Sequence, residues 1–466
     1  MAQVYELIVT ACVSPRSRSE ISCPALDKDV KCEEIHDKKG TFAILQRAGS
    51  NQNFMIDTIT SSQEAIALED KFGAHNYHPL PVVLSKGEGV FLWDVEGKRY
   101  FDFLSAYSAV NQGHCHPRII NALIDQAKEL TLTSRAFYND KLGIAEKYVC
   151  DTFGYQKALF MNSGAEANET AIKLARKWGY TKKGIPANEA VIVCVKKNFH
   201  GRTTTIISAS TDPDSREGFG PFMPGFEIVD YDSIPALEKA LANPNVCGLW
   251  IEPIQGEAGV YVPQEGYLKA AEKLCRQHNV LLMMDEIQTG IARTGKMLAS
   301  DHEGVRPNML ILGKALSGGV LPISVVLADD EIMLVIKPGE HGSTFGGNPL
   351  AASVCMEALQ VIKDEKLADN SQRLGAIFRE RMQALMKKTN MITLVRGKGL
   401  LNAIVINDSP DSKTAWNLCM DFAKNGLLAK PTHGNIIRLA PPLVITEEQV
   451  HECCDIIEKS ILSYKK

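Results

Sequence analysis

The sequence predicts an α/β protein: a larger part built on a mostly parallel sheet covered by helices, followed by a smaller α/β unit at the carboxyl end. Three observations carry that reading. The runs Ala190 to Val195, Val246 to Ile251, Val280 to Met284 and Met309 to Leu312 are apolar throughout rather than at alternate positions, as strands buried on both faces are. Between them, stretches such as Ala165 to Trp178 and Tyr267 to His278 repeat apolar residues at three and four, the spacing of amphipathic helices. Finally, 466 residues with 45% apolar and 23% charged side chains make a folded globular chain of on the order of two to four units, which excludes disorder and small disulfide scaffolds.

In chain order, residues 1–65 come first as a polar arm without sustained periodicity, expected to be poorly ordered. Arg16, Arg18 and their neighbouring serines suit a mitochondrial transit peptide, but Glu6, Glu20, Asp27, Asp29, Glu33, Glu34 and Asp37 do not, so the cytoplasm is preferred to the matrix. Residues 66–110 form a segment expected to pack with the small domain. Within it Gly89 to Phe103 reads as a hairpin turning at Glu96-Gly97. The large domain spans 111–350 and opens on Asn111 to Pro117, a turn leading into a helix. His114, Cys115 and His116 lie in that turn without a second ligand group of zinc-like spacing, so no metal site is expected. The small domain spans 351–466, with one long helix pattern from Ala351 to Asn390 and then a strand from Gly399 to Ile406.

The formal charge of −4 offers no general attraction to nucleic acid, and no apolar stretch approaches the ~18–20 residues of a membrane-spanning helix. Twelve scattered cysteines without a C-x-x-C pair read as reduced thiols.

Open α/β sheets keep their ligands at the carboxyl ends of the strands, and two charged groups emerge there. The run Val280 to Met284 ends in Asp285-Glu286, and Met309 to Leu312 ends in Gly313-Lys314. By themselves they could be a structural ion pair or solvated loop charges. A lysine hemmed in by small residues is also a competent amine nucleophile. The turn Asn162-Ser163-Gly164-Ala165 opens a helix, and such an N-terminus either is simply capped or receives an anion.

Asp285-Glu286-Ile287-Gln288-Thr289-Gly290 followed by Gly313-Lys314-Ala315-Leu316-Ser317-Gly318-Gly319 resembles the signature of the class III pyridoxal-phosphate aminotransferases. Further segments, from Gly73 to Pro79, Asn111 to Pro117, Thr133 to Tyr138, Glu252 to Gly259, Gly339 to Pro349, Arg396 to Gly399 and Leu427 to Gly434, resemble the ornithine-using branch of that family. The resemblance runs from about residue 70 to the carboxyl end. It implies the fold type I of pyridoxal-phosphate enzymes, with a large domain and a smaller α/β C-terminal domain, and a homodimer with shared active sites. It implies transfer of the δ-amine of ornithine to a 2-oxo acid; acetylornithine or 4-aminobutyrate transamination are the near rivals, and a catalytically silent binding protein is a remote one.

The residue roles follow from the same resemblance. Lys314 holds pyridoxal 5'-phosphate covalently and shuttles the proton, while Asp285 pairs with the ring nitrogen. Gln288 faces the phenolic oxygen, Phe199 stacks on the ring, and Ser163, Gly164 and Ala165 receive the phosphate. Ser343 and Thr344 reach the phosphate from the neighbouring subunit. For substrate, Arg202 grips the α-carboxylate with Tyr77 beside it, Tyr107 contacts the α-amino end, and Glu257 and Arg438 form a gate. His200 stands where animal members of that branch carry an aromatic, which bears on fine specificity.

Overall fold

The structure, a computed structural model, describes residues 30–37, 40–47 and 59–465. The chain divides into two compact units, residues 1–60 and 61–466. In the first, Val30–Asp37 and Gly40–Arg47 pair as antiparallel strands. The expectation of a poorly ordered arm missed this pair, because the charge run Asp27 to Lys39 masks the strand-forming Thr41-Phe42-Ala43-Ile44-Leu45 that follows it. The rest of that expectation, and the transit-peptide residues Arg16 and Arg18, lie outside the described residues.

Helix Ser62–Phe72 belongs to the main unit, since the Ser62 N–H and hydroxyl both donate to the Glu96 carboxylate at 2.7 Å. The expected hairpin forms from Phe91–Asp94 and Arg99–Asp102, with Gly97 at φ +85° supplying the turn. Its second strand pairs in parallel with Leu427–Leu428, joining this segment to the C-terminal region.

Seven strands make the large sheet. They are β1 (Lys157–Met161), β2 (Val191–Val195), β3 (Phe226–Val229), β4 (Val246–Ile251), β5 (Leu281–Asp285), β6 (Met309–Leu312) and β7 (Ser324–Ala328), in the spatial order β1-β7-β6-β5-β4-β2-β3. Only β7 runs antiparallel to its neighbours. Alternate residues of the central strands face opposite sides. Ile192, Cys194, Trp250 and Met283 pack against helix α1 (Gly164–Trp178), whereas Val193, Val195, Leu249 and Met284 pack against Ile234–Leu241 and Tyr267–Gln277. Burial on both faces is why those strands read as continuous apolar runs. The sequence reading missed β1, β3 and β7, whose apolar runs are shorter or begin with polar residues.

The C-terminal region carries a four-stranded antiparallel sheet from Ile392–Lys398, Leu401–Ile406, Ile436–Leu439 and Lys430–Thr432. The single long helix expected from Ala351 is two, Pro349–Asp364 and Leu367–Met386. Lys366 sits between them in the left-handed region at φ +50°, a break that heptad-like spacing of Leu and Ile cannot reveal. One hydrophobic cluster draws on residues from Val90 to Ile461, so strands of the large sheet and helices of the C-terminal region share apolar contacts.

Candidate active site

The chain leaves the carboxyl edge of the large sheet at Met161, Val195, Ile251, Asp285 and Leu312, and every expected cofactor residue except Ser343 and Thr344 lies on these exits. A cleft of about 200 Å³ opens there, lined by Gly164, Phe199, Glu252, Asp285, Gln288 and Lys314 among others.

At one end the cleft meets α1. Ser163 caps the helix, accepting from the Glu166 N–H at 3.2 Å, while the Glu166 carboxylate accepts from the Ser163 N–H at 2.7 Å. The first-turn N–H groups at Gly164 and Ala165 have no helical partner, and the positive end of the helix dipole points the same way: an anion socket. A Cβ at Gly164 would stand 2.8 Å from Ile287 Cδ1, so any larger residue would have to push the Ile287 side chain aside.

The floor is the end of β5. Asp285 is 4% exposed, and its Oδ2 accepts from Asn168 Nδ2 at 2.9 Å and from His200 Nδ1 at 2.7 Å; its Oδ1 accepts from the Ile287 N–H at 3.0 Å. His200 stacks on Trp250 with ring centroids 3.8 Å apart, and Trp250 Nε1 donates to Asn168 Oδ1 at 3.0 Å. His200, singled out for its bearing on specificity, thus packs beneath Asp285 and braces it. Beside it Glu252 is buried with Oε2 accepting from the Phe199 N–H at 2.9 Å, and burial together with the Asp285 charge pushes its carboxyl well above the usual range.

Lys314 begins a short 3₁₀ turn at φ +44° after β6. Desolvation holds its amine below the ordinary lysine value, against the pull of Glu257 and Asp285, which favours the neutral, nucleophilic form.

The substrate side is assembled from distant segments. Arg438, 2% exposed, donates from Nη1 to Glu257 Oε2 at 2.8 Å and lies over the Tyr107 ring at 4.8 Å. Burial raises the Glu257 carboxyl, but Arg438 outweighs it and holds the value below the ordinary 4.5. Gln288 lies 3.4 Å by Nε2 from the Tyr107 carbonyl. Arg202 is exposed over the edge of Phe199 at 5.9 Å and has no carboxylate partner among the described residues. Tyr77 is 65% exposed and, like Arg202, close enough to act electrostatically on the Tyr107 hydroxyl. Ser343 accepts from Asn162 Nδ2 at 2.8 Å, with Thr344 exposed beside it.

Asn168, Trp250 and Glu252 had been given no role. Trp250 sits within an apolar strand and Asn168 between Ala167 and Glu169 on a helix, and neither carries a pattern; the one signal for Glu252 was a carboxylate at the end of an otherwise apolar strand.

An anion socket, a buried carboxylate and an enclosed lysine at the carboxyl edge of a parallel sheet define a transferase of the fold type I class, and the match to known proteins agrees. Residues 72–461 match aminotransferase class-III, and the chain belongs to that family. It is an aminotransferase. It is 62% identical to the ornithine aminotransferase, mitochondrial, of Drosophila melanogaster over 86% of this chain and 92% of that protein. Among solved structures, the ornithine aminotransferase of Toxoplasma gondii, with partial occupancy of PLP at its active site, shares 50% identity at a TM-score of 0.86 and covers 87% of this chain and 95% of its own. The acetylornithine aminotransferase of Elizabethkingia anophelis shares 63% identity at a TM-score of 0.82, covering 87% of this chain and all of its own.

Proposed function

We propose that the chain moves the distal amine of L-ornithine to a 2-oxo acid, usually 2-oxoglutarate. The products are L-glutamate 5-semialdehyde, which cyclises to pyrroline-5-carboxylate, and L-glutamate. The observation that carries this reading is the unequal state of two guanidiniums: Arg438 is masked by Glu257 at 2.8 Å, whereas Arg202 stands open. An amino acid whose α-carboxylate pairs with Arg202 presents its distal amine inward. The α-carboxylate of 2-oxoglutarate, which must bring its keto group to the same place, needs Arg438 unmasked.

The residues fit pyridoxal 5'-phosphate. The socket at Gly164 and Ala165 suits a dianion, Phe199 supplies a ring face, and Gln288 places an amide in the cleft lining. When bound, the cofactor supplies an electron sink for the substrate carbanion. Asp285, braced by Asn168 and His200, would hold a proton on the ring nitrogen. Lys314 would anchor the cofactor, and its amine would then carry the proton between substrate and cofactor carbons. Glu257 holds Arg438 away from α-carboxylates until the second substrate arrives.

A homodimer belongs to the same reading, with Ser343 and Thr344 contributing to the neighbouring phosphate site. Phe137 and Tyr138, 71% and 96% exposed, and Phe345, 55% exposed, are large apolar side chains that a second copy would cover. The Drosophila relative is named mitochondrial, which supports the matrix; the cytoplasmic expectation gains nothing from it. No described helix is long and apolar enough to cross a membrane.

A panel of amine donors tests the reading. Ornithine should give the highest kcat/KM among ornithine, N-acetylornithine, 4-aminobutyrate and glutamate. A higher value for N-acetylornithine would move the chain to the activity for which the Elizabethkingia protein is named.

A further inference from the structure

Ser105, Ala106, Tyr107 and Ser108 all lie in the left-handed region, at φ +50°, +45°, +61° and +75°. L-residues seldom visit this conformation even singly, because the Cβ crowds the following carbonyl, so four in succession must be held by their surroundings. The holding contacts can be named. Asp102 Oδ1 accepts from the N–H groups of Leu104 and Ser105, each at 2.8 Å, and its Oδ2 is bonded to His114 Nε2 at 2.7 Å. The Ser105 hydroxyl, fully buried, donates to the Ala440 carbonyl at 2.7 Å, and the Ala440 N–H donates to the Phe103 carbonyl at 2.8 Å. Ala440 follows directly on strand Ile436–Leu439, which carries Arg438. The next carbonyl, Pro441, accepts from Arg293 Nη1 at 2.6 Å.

We propose that Ser105 is a positioning residue for substrate selection: its hydroxyl latches the strained turn bearing Tyr107 to the strand bearing Arg438, so that the two side chains keep one fixed relation. The Tyr107 ring forms a wall at the Arg438 guanidinium, its centre 4.8 Å away, while Nη1 donates to Glu257. With the latch in place, Arg438 has Glu257 at one side and the aromatic face at another, and both favour the masked position. Without it the turn can relax toward ordinary backbone angles and carry Tyr107 away. Arg438 then loses that wall and becomes easier to reach for an incoming α-carboxylate. Arg293 grips the following residue, so the strand end itself stays in place and the change is confined to the turn. The inference rests on the gate reading of Glu257 and Arg438 given above.

The test uses Ser105→Ala and Ser105→Gly in the holoenzyme. The first removes the hydroxyl at unchanged backbone cost; the second removes it while making the left-handed angle easy, and it remains readable if the alanine variant fails to fold. Calorimetric titration with glutarate, a five-carbon dicarboxylate that cannot react, reads access to Arg438. Both variants should bind glutarate about three- to tenfold more tightly than wild type, the ratio that one hydrogen bond is worth, and Arg438→Ala added to Ser105→Gly should abolish the gain. The glutamate-to-ornithine ratio of half-reaction rates should rise by a similar factor. Unchanged glutarate affinity in both variants, whatever happens to their melting temperature, would show that Ser105 is only structural and would overturn the latch. If glutarate binding tightens while wild type fails to use ornithine, the latch stands and the assignment of ornithine falls.

Discussion

The floor of the cleft and its gate are built on opposite principles. Asp285 ends a central strand and takes three hydrogen bonds from Asn168, His200 and the Ile287 N–H, all from within the large sheet and the helix covering it. The gate joins Glu257, on the loop after β4, to Arg438, 181 residues away in sequence on the small antiparallel sheet, with a strained turn beneath. The Glu257 loop is itself gripped from that sheet, since Thr432 donates to the Glu257 carbonyl at 2.7 Å and Arg396 to the Gly259 carbonyl at 2.8 Å. A group that must hold one charge throughout a reaction is fixed by many short-range bonds to a rigid strand end. Arg438 has one charged partner, Glu257, and one neutral acceptor, the Gly256 carbonyl at 3.2 Å, so a competing carboxylate would have a single charge to displace. Rigidity belongs where the electrostatics are constant, and a single exchangeable contact belongs where selection occurs.

Four substitutions would break or sharpen that contrast, the first two on the floor. Lys314→Ala removes both anchor and proton carrier, and turnover should fall by at least about a thousandfold. Borohydride reduction and peptide mapping check the assignment, because a reduced adduct on any other lysine would be incompatible with it. Asp285→Asn keeps shape and most hydrogen bonds while removing the charge, so single-turnover deprotonation of ornithine should slow by about ten- to a thousandfold, the worth of an opposite charge at close range. Equal single-turnover rates would reduce Asp285 to a structural role.

At the gate the effect should be one of ratio rather than rate. Glu257→Ala should raise the glutamate half-reaction relative to ornithine by about ten- to a hundredfold, as expected from loss of a charge-assisted hydrogen bond; stopped-flow of each half-reaction measures it. The pH dependence follows from the depressed carboxyl of Glu257: its ionised form is the one stabilised by the fold. Masking is therefore complete above the ordinary value of 4.5 and is lost only as the pH falls through the lowered value. The glutamate-to-ornithine ratio in wild type should be level through the neutral range, and a rise centred near neutrality would contradict the pairing.

The smallest effect is expected at Glu252→Gln, back on the floor. Glu252 is buried beside Asp285 with its carboxyl pushed well above the usual range, so an amide should replace it at little cost, the Phe199 N–H keeps an acceptor, and rates should stay within about threefold of wild type. Two neighbouring buried carboxyls would then differ by orders of magnitude in their response to the same chemical change.

Much of this was legible in the amino-acid sequence. The central strands, helix α1 and the hairpin at Gly97 are set by local spacing, because burial on two faces, an amphipathic stripe and a turn residue each leave a mark within a dozen residues. Lys314 and Asp285 could be placed at one edge because connectivity alone puts the carboxyl ends of parallel strands there, whereas the Ser163 turn could be read only as the start of a helix, because the strand before it went unread. The break at Lys366, the left-handed turn at Ser105 to Ser108 and the raised carboxyl of Glu252 left no such mark. Backbone handedness at a non-glycine residue and the charge of a buried carboxyl are decided by what is packed against them, and those partners come from remote parts of the chain. The role of His200 shows the division most plainly. The sequence by itself showed that this residue departs from its resembled relatives, but only the fold, by bringing Asp285, Asn168 and Trp250 around the ring, made it a brace for the carboxylate. What recurs along the chain can be read from the chain; what depends on desolvation and on contacts across more than a hundred residues exists only once the sheet, the helix and the gate strand have closed around the cleft.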